Sequence, residues 1–296
     1  MYRYIIGGVL LWLILPVKPA HACATCLCGD PTITSMGTEK PFTGRMRAGI
    51  EYLSRSETIG EAGVNQQIID EQRISISTSY AFNTRWIVAA TLPLVSKQLN
   101  RFDLSHEQAS GVGDLDLSAR WFLGGDESFP ERELWGLQFG VRLPTSTEQE
   151  INGQPIDFDA QPGAGATIPS LGAWYGYYRT PWFFYSSVVY QHAIDEGYQS
   201  YQAGDVWLLT GHAQYAWQPR LALTFSLDAR QKQQDRYAGV VDENSGGLLL
   251  MASPGLAWIP LSDLVVNLTY QVPVLEHVHG RQEESPSLRL GAVYDF

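Results

Sequence analysis

Apolar and polar residues alternate strictly in segments of about ten residues or more, and this pattern recurs about a dozen times along the chain. In segment 220–230, for example, Leu221, Leu223, Phe225 and Leu227 alternate with polar residues such as Asp228. Successive side chains of a β-strand point to opposite faces, so a period of two predicts strands with one apolar and one polar face. The chain is therefore predicted to be all-β.

The alternating segments predict about twelve strands that are long enough to cross a bilayer at a tilt. Strands of soluble sandwiches are usually nearer five or six residues. Lipid offers no hydrogen bonds, so a spanning sheet must close on itself. The predicted fold is a transmembrane antiparallel up-and-down β-barrel over residues 43–296. Its strands lie near 43–54, 68–82, 85–97, 111–123, 132–144, 165–179, 182–192, 204–217, 220–231, 246–259, 264–275 and 286–296.

Short and long connections alternate between these strands. The short ones lie at 83–84, 124–131, 179–181, 218–220 and 260–263. The long polar ones lie at 55–67, 98–110, 145–164, 193–203, 232–245 and 276–285. Outer-membrane barrels have short periplasmic turns and long outer loops. The pattern thus predicts an outer-membrane barrel with its N-terminus in the periplasm and lipids as partners.

Aromatic residues are predicted at both ends of the strands, where they would meet the two membrane interfaces. Those that support this prediction are Trp86, Trp135, Tyr177, Trp182, Trp207, Trp217 and Trp258. A soluble barrel such as a lipocalin would alternate equally well but has no reason for such belts. The last strand ends in Phe296, and a terminal aromatic of this kind resembles the signal read by the outer-membrane assembly machinery, a predicted partner.

The first 22 residues have the features of a secretory signal peptide. Arg3 precedes an apolar run from Ile5 to Val17, and Ala20-His21-Ala22 fits a signal peptidase site. The run is too short for a membrane-spanning helix. Its removal takes away Arg3 and Lys18, which changes the net charge from −11 to about −13. This acidity argues against nucleic acid as a partner, because phosphate binding needs clustered Lys and Arg.

Three cysteines open the mature chain, in a predicted periplasmic segment over 23–42. The spacing of Cys23, Cys26 and Cys28 leaves three chemistries open. Two of the thiols could form a disulfide in the oxidising periplasm. Soft thiolates could bind Cu(I) or another soft metal, the one cofactor considered for this chain. Cys23 could also carry a lipid, although the usual Leu before it is missing, and Leu27 in place of His argues against haem attachment.

The polar faces of the predicted strands would line the barrel interior. Charges are tolerated there only where water or opposite charges meet them. Mixed charges would then set the selectivity of a polar passage, or salt bridges would fill the interior and leave no path. The selectivity residues predicted for the lumen are Asp114, Asp116, Arg120, Arg142, His212, Asp228 and Arg230. The wider predicted lumen set adds Arg45, Arg47, Glu51, Arg73, Gln138, Gln214, Asn267, Gln271, Arg289 and Asp295.

Most of the mature chain, from about residue 44, resembles the outer-membrane transporter family labelled MetA-pathway of phenol degradation. The matching segments are Trp86 through Leu92-Pro93-Leu94, Gly113-Asp114-Leu115 leading to Trp121, Gly163 to Gly172, Ser253-Pro254-Gly255-Leu256, and Val272-Pro273-Val274 followed by His279-Gly280-Arg281-Gln282. All of these segments have the residue types of strands and turns, and none is a catalytic signature. The resemblance implies a barrel that transports a small solute, hydrophobic or aromatic in kind. It implies no active-site residue.

Two other classes of protein compete with a channel. An outer-membrane hydrolase needs a nucleophile and a base within reach, and the sequence has no Gly-x-Ser-x-Gly motif. If the strands near 204–217 and 220–231 pair through their short turn, His212 lies nearer Ser226 and Thr224 than Asp228. The chain is therefore predicted not to be an enzyme. The second class is a structural barrel, such as an adhesin or assembly component, whose outer loops bind a partner.

Overall fold

The computed structural model describes residues 43–125 and 132–296. The predicted signal peptide at 1–22 and the cysteine segment at 23–42 lie outside the described residues. Most of the predicted connection at 124–131 lies outside them as well. No helix among the described residues is long and apolar enough to cross a membrane.

One antiparallel sheet closes on itself and forms the body of the protein. Its strands are β1 Met46–Ile59, β2 Gln67–Asn83, β3 Trp86–Arg101, β4 His106–Val112, β5 Leu115–Gly125, β6 Glu133–Leu143, β7 Ile168–Arg179, β8 Trp182–Gln191, β9 Val206–Gln218, β10 Leu221–Lys232, β11 Gly247–Leu261, β12 Leu264–Val278, β13 Gln282–Glu284 and β14 Ser287–Asp295. Both β4 and β5 pair with β3, and both β13 and β14 pair with β1. The sheet is therefore a closed barrel of twelve strands, as predicted.

The first and last strands close the barrel. Ile50 of β1 lies opposite Ile76 of β2 on one side and Ala292 of β14 on the other. The Phe296 N–H donates to the Met46 carbonyl at 2.9 Å. The prediction that the terminal strand pairs with the first one is confirmed. Every strand then has a neighbour on both sides, which is what a sheet in lipid requires.

The apolar faces of the strands point outward, as the alternation predicts. Ile76 is 50% exposed and Leu290 is 48% exposed, whereas Ser77 next to Ile76 is only 5% exposed. Apolar side chains this exposed around the whole barrel would be unusual for a barrel in water. They form the lipid-facing surface of a transmembrane barrel.

The aromatic belt lies mainly at one end of the barrel, which corrects the prediction of belts at both ends. Trp86 and Trp182 each begin a strand directly after a short connection, and Trp217 lies just before one. Trp135, Tyr177 and Trp258 lie near the same end. Trp207, near the start of β9, is the member of the predicted set that lies at the opposite end. We call the two ends the turn end and the loop end.

Several strands extend further toward the loop end than the sequence predicts. The predicted loop at 98–110 is mostly β3 and β4, with Phe102–Ser105 between them. Likewise β1 continues to Ile59 and β12 to Val278. In these extensions the outward residues are polar, as in Asp70, Gln98 and Gln108. The apolar alternation is lost there, although the hydrogen-bonded ladder continues.

The loop end also carries small secondary structures of its own. A two-strand hairpin joins Glu150–Ile151 to Gln154–Pro155. A three-strand sheet joins Tyr201–Gln202, Arg236–Tyr237 and Val240–Val241. Single 3-10 turns lie at Phe158–Ala160 and Tyr198–Ser200. The longest loop, 144–167, bends into the barrel mouth and is called the inserted loop.

Candidate functional site

Side chains of ten strands surround a cavity of about 200 Å³ in the middle of the barrel, called the central chamber. Period-two alternation places every second residue of each strand on its wall. Hydroxyl side chains form much of this wall, including Ser75, Ser118, Ser187 and Thr210. An interior lined in part by polar and charged side chains is typical of transmembrane barrels that hold a channel.

Five arginines and three carboxylates line the chamber. The arginines are Arg73, Arg120, Arg142, Arg230 and Arg289, and the acids are Glu51, Asp116 and Asp228. Arg142 donates from Nε to Asp116 Oδ1 at 3.0 Å and from Nη2 to Oδ2 at 3.3 Å. Arg289 Nη1 lies 3.7 Å from Glu51 Oε1. Thr210 donates its hydroxyl to Asp228 Oδ1 at 2.9 Å. The formal charge of the lining is therefore +2.

A buried ion cluster lies next to the chamber on the side of the loop end. Arg55 donates from Nε and Nη2 to Glu71 Oε2, at 3.0 and 2.8 Å. Its Nη1 lies 3.7 Å from Glu57 and 3.5 Å from Glu284. Arg73, at the chamber boundary, also contacts Glu71. Arg55 and the three glutamates are each 7% exposed or less, so removal of one charge would leave its partners buried without compensation.

An aromatic cluster, called the aromatic floor, lies inside the barrel on the turn-end side of the chamber. Phe122 and Trp174 pack edge to face with ring centroids 4.8 Å apart, and Trp174 stacks on Tyr185 at 6.4 Å. Tyr178 and Phe183 stack beside them at 4.7 Å. The cluster also contains Ala81, Ile87 and Leu134. This part of the lumen is apolar, which the prediction of a polar interior missed.

Arg120 joins the chamber to the aromatic floor. Its guanidinium carbon lies 5.9 Å from the ring centroid of Trp174 and 5.8 Å from that of Tyr185. Both distances are within the range of cation–π attraction. The arginine therefore faces the chamber while its charge rests against aromatic rings.

The inserted loop packs against the inner wall above the chamber. Ile156 and Ala160 are buried against Ile69, Leu99 and Ala109 of β2, β3 and β4. The Arg101 side chain donates to Asp157 at 2.9 Å. The loop thus narrows the barrel on the side of β2 to β4.

Asp114 anchors both ends of the inserted loop. Its Oδ1 accepts from the backbone N–H and hydroxyl of Ser146, at 3.1 and 2.6 Å. Its Oδ2 accepts from the N–H groups of Ala164 and Gly165, at 2.8 and 3.1 Å. Asp114 lies in the break between β4 and β5, which frees its side chain to turn toward the loop. The geometry assigns Asp114 to loop anchoring, because it does not line the central chamber.

A second cavity of about 430 Å³, called the outer vestibule, lies between the loops above the ion cluster. Phe158 of the inserted loop stacks on Tyr201 with ring centroids 3.9 Å apart, and Tyr237 lies 5.6 Å from Phe158. Four aspartates line this cavity: Asp157, Asp159, Asp235 and Asp242. Burial, and then the charge of Asp157, raise the pKa of Asp159 to about 6. Burial also raises the pKa of Asp242.

The predicted selectivity residues divide into two groups. Asp116, Arg120, Arg142, Asp228 and Arg230 line the chamber, whereas Asp114 and His212 do not. The selectivity role of the five remains a prediction. Of the wider lumen set, Glu51, Arg73, Gln138 and Arg289 also line the chamber. Arg45 and Arg47 instead bind Asp295 at the turn end, at 2.8 and 2.5 Å.

His212 bonds Ser226 on the neighbouring strand, with Nδ1 and Oγ 2.8 Å apart. The register puts these two residues directly opposite each other and Asp228 opposite Thr210. The predicted proximity of His212 to Ser226 is confirmed. Within the described ranges no acid is found in hydrogen-bond contact with His212.

The sequence predictions did not include Arg55, Glu57, Glu71, Lys97 and Glu284 as interior residues. The first two lie in the predicted loop 55–67, and Glu284 lies in the predicted loop 276–285. Arg55 and Glu57 continue the inward face of Glu51, and Glu71 continues that of Arg73, so even spacing could have located these three. The spacing from Arg289 does not locate Glu284, because residues 285–286 interrupt the strand. Among residues 43–125 and 132–296 no three His, Cys, Asp or Glu side chains are grouped to hold a metal. Cys23, Cys26 and Cys28 lie outside those ranges, and their soft-metal role stays a prediction.

No protein-family model matches the chain, and no curated protein matches it. The likeness to the MetA-pathway family therefore remains a prediction. Solved structures do match. An outer-membrane channel from Pseudomonas putida F1 is 14% identical with a TM-score of 0.68, over 88% of this chain and 98% of that one.

Two further structures are similar over most of their length. The translocator domain of the autotransporter NalP from Neisseria meningitidis is 12% identical with a TM-score of 0.53, over 88% of this chain and 92% of that one. A deletion mutant of TodX, described as a monoaromatic hydrocarbon channel, is 12% identical with a TM-score of 0.50, over 94% and 97%. At such identities these likenesses establish the fold of a transmembrane β-barrel.

Proposed function

We propose that this protein is an outer-membrane channel for a small solute. The observation that carries the proposal is the central chamber, a polar cavity of about 200 Å³ inside a closed lipid-facing barrel. A barrel that served only as a surface anchor would need no chamber lined by charged and hydroxyl groups. Transport would be passive, and the solute gradient would drive it.

In this proposal the loop end faces the cell exterior and the turn end faces the periplasm, together with the N-terminus. The orientation follows the general rule that outer-membrane barrels have short periplasmic turns. The aromatic belt near Trp86 and Trp182 would then lie at the periplasmic interface. A solute would enter through the outer vestibule and pass the inserted loop before it reached the chamber.

The aromatic floor and the apolar part of the chamber wall support a solute with a hydrophobic or aromatic body. Phe122, Trp174 and Tyr185 form a buried ring cluster inside the turn end of the barrel. One similar structure, that of TodX, is described as a monoaromatic hydrocarbon channel. We propose the same class of solute body for this chain.

Conductance of the purified barrel in planar bilayers tests the proposal. Discrete current steps are expected, together with uptake of a small labelled solute into liposomes. Ser118→Trp fills the chamber and should lower the conductance. Ala119→Trp, on the adjacent lipid-facing position, is the matched control and should leave it unchanged. Absence of both conductance and uptake in a correctly folded barrel would contradict the channel function.

The two alternative classes have separate tests. A hydrolase would cleave phospholipid or peptide and lose that activity in His212→Ala. A partner-binding barrel would bind its partner through the loop end without conducting. The chamber favours the channel over both, because neither alternative requires a cavity at mid-barrel.

A further inference from the structure

The wall of the central chamber has two chemically different sides. All eight charged lining residues come from β1, β2, β5, β6, β10 and β14. The three neighbouring strands β7, β8 and β9 contribute only uncharged side chains. These are Ile168, Ser170, Ser187, Val189, Gln191, Leu208 and Thr210. A molecule in the chamber therefore meets charge on one side and a mixed apolar and hydroxyl surface on the other.

The charged side has an excess of cations, although the protein as a whole is acidic. Five guanidinium groups face three carboxylates, which gives +2 for the lining against −11 for the chain. The carboxylates already have partners on the wall. Asp116 accepts two hydrogen bonds from Arg142, and Asp228 accepts one from Thr210. The formal charge of the lining is therefore positive, while Arg73 also contacts Glu71 of the ion cluster next to the chamber.

We infer that the central chamber binds a small organic carboxylate, with its anionic group against the arginines and its apolar body against the wall formed by β7, β8 and β9. This inference rests on the proposed channel function and specifies the solute of the same site. A guanidinium group offers paired donors that match the two oxygens of a carboxylate. In a narrow, partly desolvated space this attraction is stronger than in bulk water.

The uncharged wall decides between an organic carboxylate and an inorganic anion. Val189 and Leu208 present apolar surface on the uncharged wall, and Leu208 lies directly beside Arg230. A strongly hydrated anion such as phosphate would lose water against these two side chains, which offer it no hydrogen bonds. A carboxylate with an apolar body places its hydrated end on one side and its apolar end on the other. Arg120, which rests on Trp174 and Tyr185, brings charge and ring surface together at the chamber floor.

The reversal potential in a potassium chloride gradient measures the sign of the selectivity. The wild-type barrel should prefer chloride. Arg230→Gln combined with Arg289→Gln makes the lining neutral and should move the reversal potential toward zero. Asp228→Asn should increase the chloride preference, since it removes a negative charge and keeps an oxygen that can accept from Thr210.

A double variant at the loop end is the matched control. Arg236→Gln with Arg281→Gln removes the same total charge from residues that do not line the chamber. This control should keep the wild-type reversal potential. If the control and the chamber variant shifted it equally, the preference would come from the charge of the whole protein, and the inference would be wrong.

Block of the chloride current tests the carboxylate itself. Sodium benzoate should reduce the current, whereas phenol, which keeps the ring but is neutral at pH 7, should block far less, and sodium phosphate should be weaker than benzoate. In the chamber double variant, block by benzoate should be about tenfold weaker. Equal block by benzoate and phenol, or a preference for potassium, would overturn the inference while leaving the channel function intact.

A barrel that carried no current would contradict the channel function but would not end the test. Equilibrium dialysis of labelled benzoate against the folded, detergent-solubilised barrel measures binding directly. Binding by the wild type that is weakened in the chamber double variant would support the carboxylate site even then. Absence of benzoate binding, or binding that is equal in both proteins, would overturn it.

Discussion

Asp114 accepts two hydrogen bonds from Ser146, one from the backbone N–H and one from the hydroxyl group. The same carboxylate accepts from the far end of the inserted loop at Ala164 and Gly165. One buried side chain thus holds both ends of the segment that narrows the barrel mouth.

Asp114→Ala should release the inserted loop. The substitution leaves the donors of Ser146, Ala164 and Gly165 without their carboxylate acceptor. The free energy of loop closure should therefore become about 3 kcal/mol less favourable. The variant should show larger single-channel conductance and faster proteolysis within 144–167. Asp103→Ala is the control, because Asp103 accepts from Ser105 in an exposed turn. Unchanged conductance and proteolysis in the Asp114 variant would show that packing alone holds the loop.

Arg55→Gln should destabilise the barrel strongly. Arg55 contacts Glu57, Glu71 and Glu284, which would remain buried with less compensation. The expected loss is about 3–5 kcal/mol of unfolding free energy. The temperature at which the folded band disappears on SDS gels measures it. Arg281→Gln removes an exposed pair with Glu61 and should cost less than about 1 kcal/mol. Equal losses in the two variants would contradict the importance of burial.

The inserted loop should open more readily as the pH rises through about 6. In the inserted position Asp159 has a pKa of about 6, raised from its ordinary value of 3.8. Below pH 3.8 the Asp159 carboxyl is neutral in both the inserted and the released loop, so its charge does not oppose loop closure. As the pH rises toward 6, ionisation favours the released loop, where the carboxylate is hydrated.

Conductance measured between pH 4 and pH 7.5 tests this dependence. The wild type should conduct more at the higher pH, and Asp159→Asn should remove most of the difference. Asp103→Asn should keep it, since the pKa of Asp103 is lowered and not raised. A wild-type channel that conducted more at pH 4 would contradict the predicted sign.

A cation on the lipid face should destabilise the barrel according to its depth. Leu290 lies at mid-strand of β14 and is 48% exposed to the lipid side. Leu290→Arg should cost about 2–4 kcal/mol, as an arginine near the bilayer midplane does. Leu261, 58% exposed, ends β11 at the turn end, and Leu261→Arg should cost about 0–1 kcal/mol. Urea titration in lipid vesicles gives both values, and a larger loss at Leu261 would contradict this placement in the membrane.

The barrel could be predicted from sequence because lipid imposes a strict pattern on its strands. Wherever a strand faces lipid, every second residue must be apolar, so Leu223, Phe225 and Leu227 define their strand without ambiguity. Beyond the membrane this requirement disappears. From sequence alone, the continuation of β1 through Glu57 and of β3 through Arg101 is therefore predicted as loop, although backbone hydrogen bonding between the strands continues there.

The candidate site could be predicted only in part. Period two correctly directs Asp116, Arg142 and Asp228 inward, because direction is a local property of each strand. Partners across the lumen depend on the register of strands distant in sequence, which composition does not encode. The role of Asp114 depends on a loop that returns into the barrel, and the aromatic floor depends on apolar residues that face inward. Both features break the rule from which the strands were predicted.

The aromatic belt at the turn end has a consequence for where the protein can reside. Trp86, Trp182 and Trp217 fix the depth of that end at one membrane interface. At the other end the outward face of the strands changes from apolar to polar side chains, such as Asp70 and Gln98. This change sets the second limit of the hydrophobic height, because a polar side chain that faces lipid is costly. The barrel is therefore matched to one bilayer thickness, and a thicker or thinner bilayer would incur a cost of hydrophobic mismatch.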